Sequence, residues 1–207
     1  MDLESKPEVE GAAVEVSTVA AIIEQWPALA QKATREMIDK YGFPQEATPS
    51  QLIWFDCAPW KRAIVYRDEI LHNFPQPHYD VLEQVIDYRV PLNRMNELAK
   101  FDGSIIVDRT KGEVSARCDM EAANILALNL MHEIASGMLN ADEARQKHAD
   151  QTSCYMLNRP APYVDRLQFA VSHHSMIDPD EPVIAPVMLE REAEKMKNTY
   201  QRSHHPH

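Results

Sequence analysis

The run from Asp119 to Gly137, DMEAANILALNLMHEIASG, sets tighter limits on the fold than any other stretch of the chain. No proline interrupts it, and Ala, Leu and Met are strong helix formers. Asp119 can accept hydrogen bonds from the free N–H groups of a first turn, and Gly137 is a natural stop. At about 100° per residue, Ala123, Leu126, Ala127, Leu130, Met131 and Ile134 share one broad face. Asn124, Asn129, His132, Glu133 and Ser136 fall opposite, but Ile125 and Leu128 lie among them. A surface helix keeps that side polar, so the pattern predicts a helix buried over most of its circumference, with a few polar groups that need partners. Each buried Leu or Ile contributes roughly 1.5–3 kcal/mol, so the remaining elements are expected to wrap around this one. The run is too short and too often interrupted by Asn, His and Glu to span a bilayer.

Helical and extended stretches alternate around it. Residues 1–16 are acidic and simple in composition, which predicts a disordered lead-in. Ser17 can cap a short helix through Gln25, and Pro27 suits the first turn of a second helix to Tyr41. Ala30, Ala33, Met37, Ile38 and Tyr41 form its apolar stripe, and Gly42 with Pro44 ends it. One long helix kinked at Pro27 is the alternative. LIWFD, CAPW and KRAIVYR, rich in aromatic and β-branched residues, then predict a β-hairpin. Pairing Asp56 with Lys61 places Leu52, Trp54, Ala63 and Val65 on one face and Ile53, Phe55, Ile64 and Tyr66 on the other, so both faces are expected to be covered.

Residues 70–80, ILHNFPQPHYD, read as a loop held by Pro75 and Pro77. VLEQVIDYRV fits a strand better than a helix, given its β-branched content and the following Pro91. Pro91 then opens a short helix with Leu92, Met95, Leu98 and Phe101 on one side, ended by Gly103. SIIVDRTKGEVSARCD is a second hairpin turning at Lys111-Gly112, which pairs Arg109 with Val114, Val107 with Ala116 and Ile105 with Cys118. Its opposite face, with Asp108, Thr110, Glu113, Ser115 and Arg117, is expected to be wet. Asn140 and Glu143 form a capping-box pattern for a helix reaching about Leu157. Beyond Asn158 several prolines punctuate an acidic arm, with a final helix from about Val187 to Tyr200.

This order predicts an α+β fold with an antiparallel sheet: two hairpins plus one strand, packed on the central buried helix, with an N-terminal helix and an extended C-terminal arm. Three segments follow: a lead-in over 1–16, a single domain over 17–157, and a Pro-rich arm over 158–207. A net charge of −11 argues against duplex nucleic acid or an anionic membrane as partner, because phosphate binding needs a strongly basic surface. Cys57, Cys118 and Cys154, odd in number and scattered, fit reduced thiols better than a disulfide framework. The opening MDLESKPEVEG lacks the apolar stretch of a secretory signal, so the cytoplasm is the expected location.

KYGFPQEATPSQLIW, PWKRAIVYRDE, VLEQVIDYRVP and DGSIIVDRTKGEVSARCD together resemble a group of bacterial hypothetical proteins. The resemblance spans roughly residues 33–145 and leaves the arm aside. It implies a bacterial, single-domain protein and transfers no catalytic residue and no activity.

The candidate chemistry is sparse. His72, His78 and Asp80 are the best metal candidates, since imidazole and carboxylate suit zinc or iron and prolines hold the intervening loop; their spacing matches no standard ligand pattern, and incidental surface histidines are the plainer alternative. His132-Glu133 is a conceivable acid/base pair, but neighbours on a helix diverge by about 100°. A partly buried, hydrogen-bonded His is the commoner outcome. Cys118 shares an apolar strand face with Ile105 and Val107 while Arg117 faces away, so packing outweighs nucleophilic chemistry. Lys61, Arg62, Arg67, Arg109 and Arg117, on the two hairpins, are candidates for a small-anion site. Cross-strand pairing with Asp56, Asp87, Asp108 and Glu113 is the alternative. In the arm, Met176, Met188, Leu189 and Met196 are suited to docking on a protein partner or a second subunit.

No catalytic constellation survives the spacing test, and no motif specifies a cofactor. The function expected first is therefore non-catalytic: a binding or interaction protein that recognises a small anion or a protein partner. The alternative is a small-molecule enzyme using His-based acid/base or metal-assisted chemistry. Convergence of His78, His132 and a carboxylate in a concave pocket would favour the enzyme.

Overall fold

A computed structural model describes residues 13–171, 180–184 and 186–204. The chain divides into two compact units, Met1–Ile177 and Asp178–His207. In the first, α1 (Val16–Ile23) and α2 (Ala28–Tyr41) are separate helices rather than one kinked rod. Gly42, at φ +79°, ends α2 in a conformation that favours glycine. The strands β1 (Glu46–Ala47), β2 (Gln51–Phe55), β3 (Arg62–His72), β4 (His78–Asp87), β5 (Ile105–Asp108) and β6 (Glu113–Cys118) form one antiparallel sheet, in the order β1-β2-β3-β4-β6-β5. A short turn of 3₁₀ helix and α3 (Met95–Phe101) join β4 to β5. Then come α4 (Glu121–Ala135), α5 (Ala141–Met156) and the single-turn α6 (Pro162–Asp165). The fold is α+β.

Alternation decides which sheet face is covered. Leu52, Trp54, Ala63, Val65 and Leu82 lie under Ala30, Ala33 and Met37 of α2. Further along the same face, Ile86, Val114 and Ala116 lie under α4. The opposite face is not greasy as expected. There Glu83, Ser115 and Glu113 are buried among Tyr66, Arg62, Lys61 and Arg117, which hydrogen-bond or pair with the two carboxylates. The second hairpin, expected to be wet on that side, is closed by satisfied charge at Glu113 and Ser115, while Thr110 is exposed and Asp108 and Arg117 are partly so.

α4 is buried nearly all round, as its pattern predicts: Asn124 through Met131 are all buried. It starts after Asp119, which does not cap it; Met120 holds that position without a side-chain bond. Its end is a Schellman motif, with Met138 N–H bonded to Glu133 O at 2.8 Å and Gly137 N–H to Ile134 O at 3.0 Å. The α5 capping box is present in both directions between Asn140 and Glu143.

Other differences have local causes. Hairpin register β5–β6 pairs Ile105 with Ala116 and Val107 with Val114, two residues away from the expected pairing. The turn spans four residues, held by Lys111 N–H to Asp108 Oδ1 at 3.1 Å, and a two-residue slip leaves every side chain on its own face. Residues 70–80 are mostly strand, because β3 and β4 continue past a register shift between Val65 and Ile70. Residues 13–16, expected in the lead-in, are ordered, with Val14 N–H bonded to Pro44 O at 2.8 Å; residues 1–12 lie outside the described residues. Ala161 and Val164 are core residues, so the domain extends past 157. In the second unit α7 spans Pro186–His204 with Met188, Leu189 and Met196 exposed; Met176 lies outside the described residues. No helix among the described residues is long and apolar enough to cross a membrane.

Asn129 joins the 161–168 segment to α4. Its Nδ2 donates to Tyr163 O and Arg166 O, both at 2.9 Å, and its Oδ1 accepts from Gln168 N–H at 2.7 Å. Asn129→Ala is expected to destabilise the protein by roughly 1–3 kcal/mol in urea denaturation and to hasten proteolysis within 159–171. Unchanged proteolysis would show that the segment is held by its apolar contacts alone.

Candidate functional site

The cross-strand register that carries the sheet also assembles a site. His72 and His78 stand directly opposite each other at the end of the β3–β4 hairpin, and strand alternation puts Asp80 on the same face as His78. Loop 73–77 closes above them. His72 Nδ1 lies 3.5 Å from Asp80 Oδ2, and His78 Nε2 lies 3.1 Å from Asp80 Oδ1. One ligating atom from each of the three residues falls within 4.8 Å of the others.

Each imidazole is oriented by a group behind it. The Gln76 carbonyl accepts from His78 Nδ1 at 2.8 Å, which leaves His78 Nε2 facing Asp80. The Asp102 carboxylate lies 3.4 Å from His72 Nε2, which leaves His72 Nδ1 facing Asp80. Asp102 is itself held by Ser104, whose N–H and Oγ donate to Oδ1 at 2.8 Å. Backing a ring nitrogen with a carbonyl or carboxylate fixes its tautomer and raises the basicity of the other nitrogen, the usual support of a metal-binding histidine.

The atoms facing inward are short of partners. His72 Nδ1 and Asp80 Oδ1 are buried and make no directed hydrogen bond. Buried polar atoms are normally satisfied; Gln84 Nε2 and Asn124 Oδ1 in the core share this lack, but of these atoms only at His72 and Asp80 does a carboxylate face imidazoles. His78 responds with a proton: contact with Asp80 first, then with Cys118, pushes it up to about 11. Cys118 Sγ lies 3.3 Å from His78 Nε2, and burial raises its pKa, favouring the thiol despite the pull of His78.

A cavity of about 200 Å³ opens beside the two imidazoles. Its polar groups include His72, His78, Asp102, Cys118 and Asp119, and much of its remaining wall comes from loop 73–77, α4 and the end of α5, among them Phe74, Met120, Leu126 and Met156. Arg145 holds Phe74 in place, its guanidinium 3.9 Å from the ring centroid. His148 also lines the cavity, packed at 4.9 Å on Phe74, with Thr152 Oγ1 3.3 Å from its Nδ1. Burial pulls His148 down to about 4, so it is neutral near pH 7.

The candidate metal residues thus come together, while the other candidates go elsewhere. His132 is outside this cavity, its Nδ1 2.9 Å from the Tyr88 hydroxyl and its ring stacked on Phe169, so the expected sign of an enzyme, His78 and His132 converging on a carboxylate, is not found. The basic residues do not converge on an anion site. Lys61 pairs with Asp87 at 2.8 Å and Glu113 at 2.9 Å, Arg62 with Glu113 at 2.7 Å, Arg117 with Glu83 at 2.8 Å and Arg67 with Asp68 at 2.7 Å. Arg109 lies in the β5–β6 turn. Cys57 is half-buried, and burial pushes its thiol up to about 11. Asp102, Cys118 and His148 join the site unannounced by any local motif, although strand alternation alone could have placed Cys118 beside β4. Comparison with protein-family models, curated proteins and solved structures gave no match.

His148 makes stability depend on pH. Its folded-state pKa is depressed below the ordinary 6.5, so its contribution is complete above pH 6.5 and is lost as pH falls towards about 4. His148→Phe is expected to flatten the stability profile in that window, by an amount on the order of 3 kcal/mol. Parallel profiles for the two proteins in denaturant titrations would contradict this.

Proposed function

We propose that the protein is a metal-dependent enzyme acting on a small molecule held in the cavity beside His72 and His78. The supporting observation is His72 Nδ1, buried and without a hydrogen-bond partner, turned towards Asp80, whose Oδ1 lies 3.1 Å from His78 Nε2 at the edge of that cavity. Two imidazoles and a carboxylate are the donor set of many zinc and non-haem iron centres. Three protein ligands leave a position for water or substrate. A divalent cation there would act as a Lewis acid on a ligand oxygen or nitrogen, or acidify a bound water. Asp102 and the Gln76 carbonyl would keep the imidazoles in their ligating tautomers, and the apolar walls would limit solvent around the reacting group.

A non-catalytic binding role is the competing reading, in which the same cavity holds a ligand that the His–Asp cluster merely recognises through a proton on His78. Self-association through α7 is a separate proposal, supported by its exposed Leu189 and Met196; the same number of chains per particle with and without residues 180–207 would remove it.

Metal analysis of the purified protein is expected to find close to one zinc-class or iron-class ion per chain. His72→Ala and Asp80→Ala should abolish retention through dialysis, and Asp102→Asn should weaken affinity by about 10–100-fold. Metal should also raise the melting temperature by mass action. Failure to bind zinc, iron or manganese at micromolar concentrations, with native circular dichroism, would leave only the binding role.

A further inference from the structure

The cavity's charge and walls narrow what it can hold. His72, His78 and Cys118 line the cavity from the sheet, and Ala122, Ala123, Leu126 and Ala127 of α4 line it with short or apolar side chains, as do Phe74 and Met156. An apolar cavity of about 150 Å³ accommodates benzene, so about 200 Å³ suits one ring with a short substituent. Two carboxylates next to the imidazoles, Asp80 and Asp102, would balance a divalent cation, and Asp119 adds a further negative group to the lining. Arg117 is the lining's Lys or Arg side chain, and its Nε already donates to Glu83 at 2.8 Å. His148, kept neutral by burial, adds no cation near pH 7. With a divalent cation bound and His78 neutral as its ligand, Asp119 leaves surplus negative charge beside apolar walls, which disfavours an anionic ligand.

We infer that the cavity takes a neutral molecule with an apolar, ring-sized body and one metal-ligating polar group turned towards His72 and His78. The inference rests on the metal-dependent reading for the role of that polar group. Its apolar body is read independently from the walls. Ala123 is the position that can separate the two, because it lines the cavity from α4 and belongs to neither the ligand set nor its backing groups. A larger side chain there would fill the space of the apolar body and leave the His–Asp cluster intact.

The test uses the full-length protein loaded with cobalt(II), whose absorption reports ligands on the metal, with imidazole, 4-phenylimidazole and its para-carboxylate as probes. 4-Phenylimidazole should bind at least about tenfold more tightly than imidazole, and the carboxylate should lose that gain. Ala123→Leu should retain cobalt and imidazole binding while losing the preference for the phenyl group. Equal affinities for imidazole and 4-phenylimidazole on metal-loaded protein, or a preference for the carboxylate, would overturn the inference and leave the metal reading standing. If no metal binds, calorimetry with the same probes still decides: a retained phenyl preference, lost in Ala123→Leu, overturns the metal reading and keeps the apolar body, and no preference overturns both.

Discussion

A helix buried nearly all round needs partners for its polar atoms as well as for its apolar ones, and α4 organises the molecule through the partners its buried Asn side chains recruit. Its Leu126, Leu128, Leu130, Met131 and Ile134 anchor the larger core. Asn124 Nδ2 donates to Leu82 O and Gln84 Oε1, both at 3.1 Å, fixing the helix against β4, while Asn124 Oδ1 and Gln84 Nε2 are buried without a hydrogen-bond partner. Asn129 draws in the 161–168 segment on the other side. Leaving such groups unpaired in a core costs about 1–3 kcal/mol each, so the helix specifies its neighbours rather than merely attracting them. Where it passes the end of the β3–β4 hairpin it presents Ala122, Ala123 and Ala127, and the shortness of those side chains is part of what leaves a cavity there.

The hairpin supplies the chemistry. Strand pairing is the simplest device for bringing two histidines together, because residues opposite each other in an antiparallel ladder have Cβ atoms about 4.5–5.5 Å apart. His72 and His78 use it directly, and Asp80 follows by alternation. The backing groups come from elsewhere: the Gln76 carbonyl from the hairpin loop and Asp102 from the end of α3. Both imidazoles are thus backed by an acceptor, while Asp80 Oδ1 goes without a directed hydrogen bond.

Much of the fold was legible in the sequence, for physical reasons that differ by element. The burial of α4 followed from apolar residues at every angle, and the α5 cap from Asn140 and Glu143. The Asp56–Lys61 pairing also holds, with Asp56 N–H bonded to Lys61 O at 2.9 Å. Less legible was the outer part of the hairpin, where Ile70 and Leu71 are exposed and the two prolines of loop 73–77 hid how far the strands on either side extend. The packed 159–171 segment resembled an arm because what holds it includes backbone atoms bonded to a distant Asn129. At the site, His72, His78 and Asp80 were visible as residue types, but their convergence needed the continued ladder. Asp102 and His148 lie far from them in sequence and carry no local signal.

The basic residues teach the complementary lesson. Lys61, Arg62 and Arg117 stand out in an acidic chain, yet they hold Glu83 and Glu113 in the sheet. Burial opposes ionisation of both carboxyls, but their hydrogen bonds to Ser115, Tyr66, Arg62, Lys61 and Arg117 win and keep them below the usual carboxylate range. Charge there is structural. At the hairpin end the balance is reversed, because carboxylates and imidazoles converge without enough donors. X-ray absorption at the zinc edge of zinc-loaded protein tests that reversal most directly. The expected spectrum has two imidazole nitrogens at about 2.0–2.1 Å and a carboxylate oxygen at about 2.0–2.2 Å, and this zinc signal is lost from dialysed His72→Ala. A zinc shell without imidazole, or one unchanged by His72→Ala, would contradict a metal centre at this site.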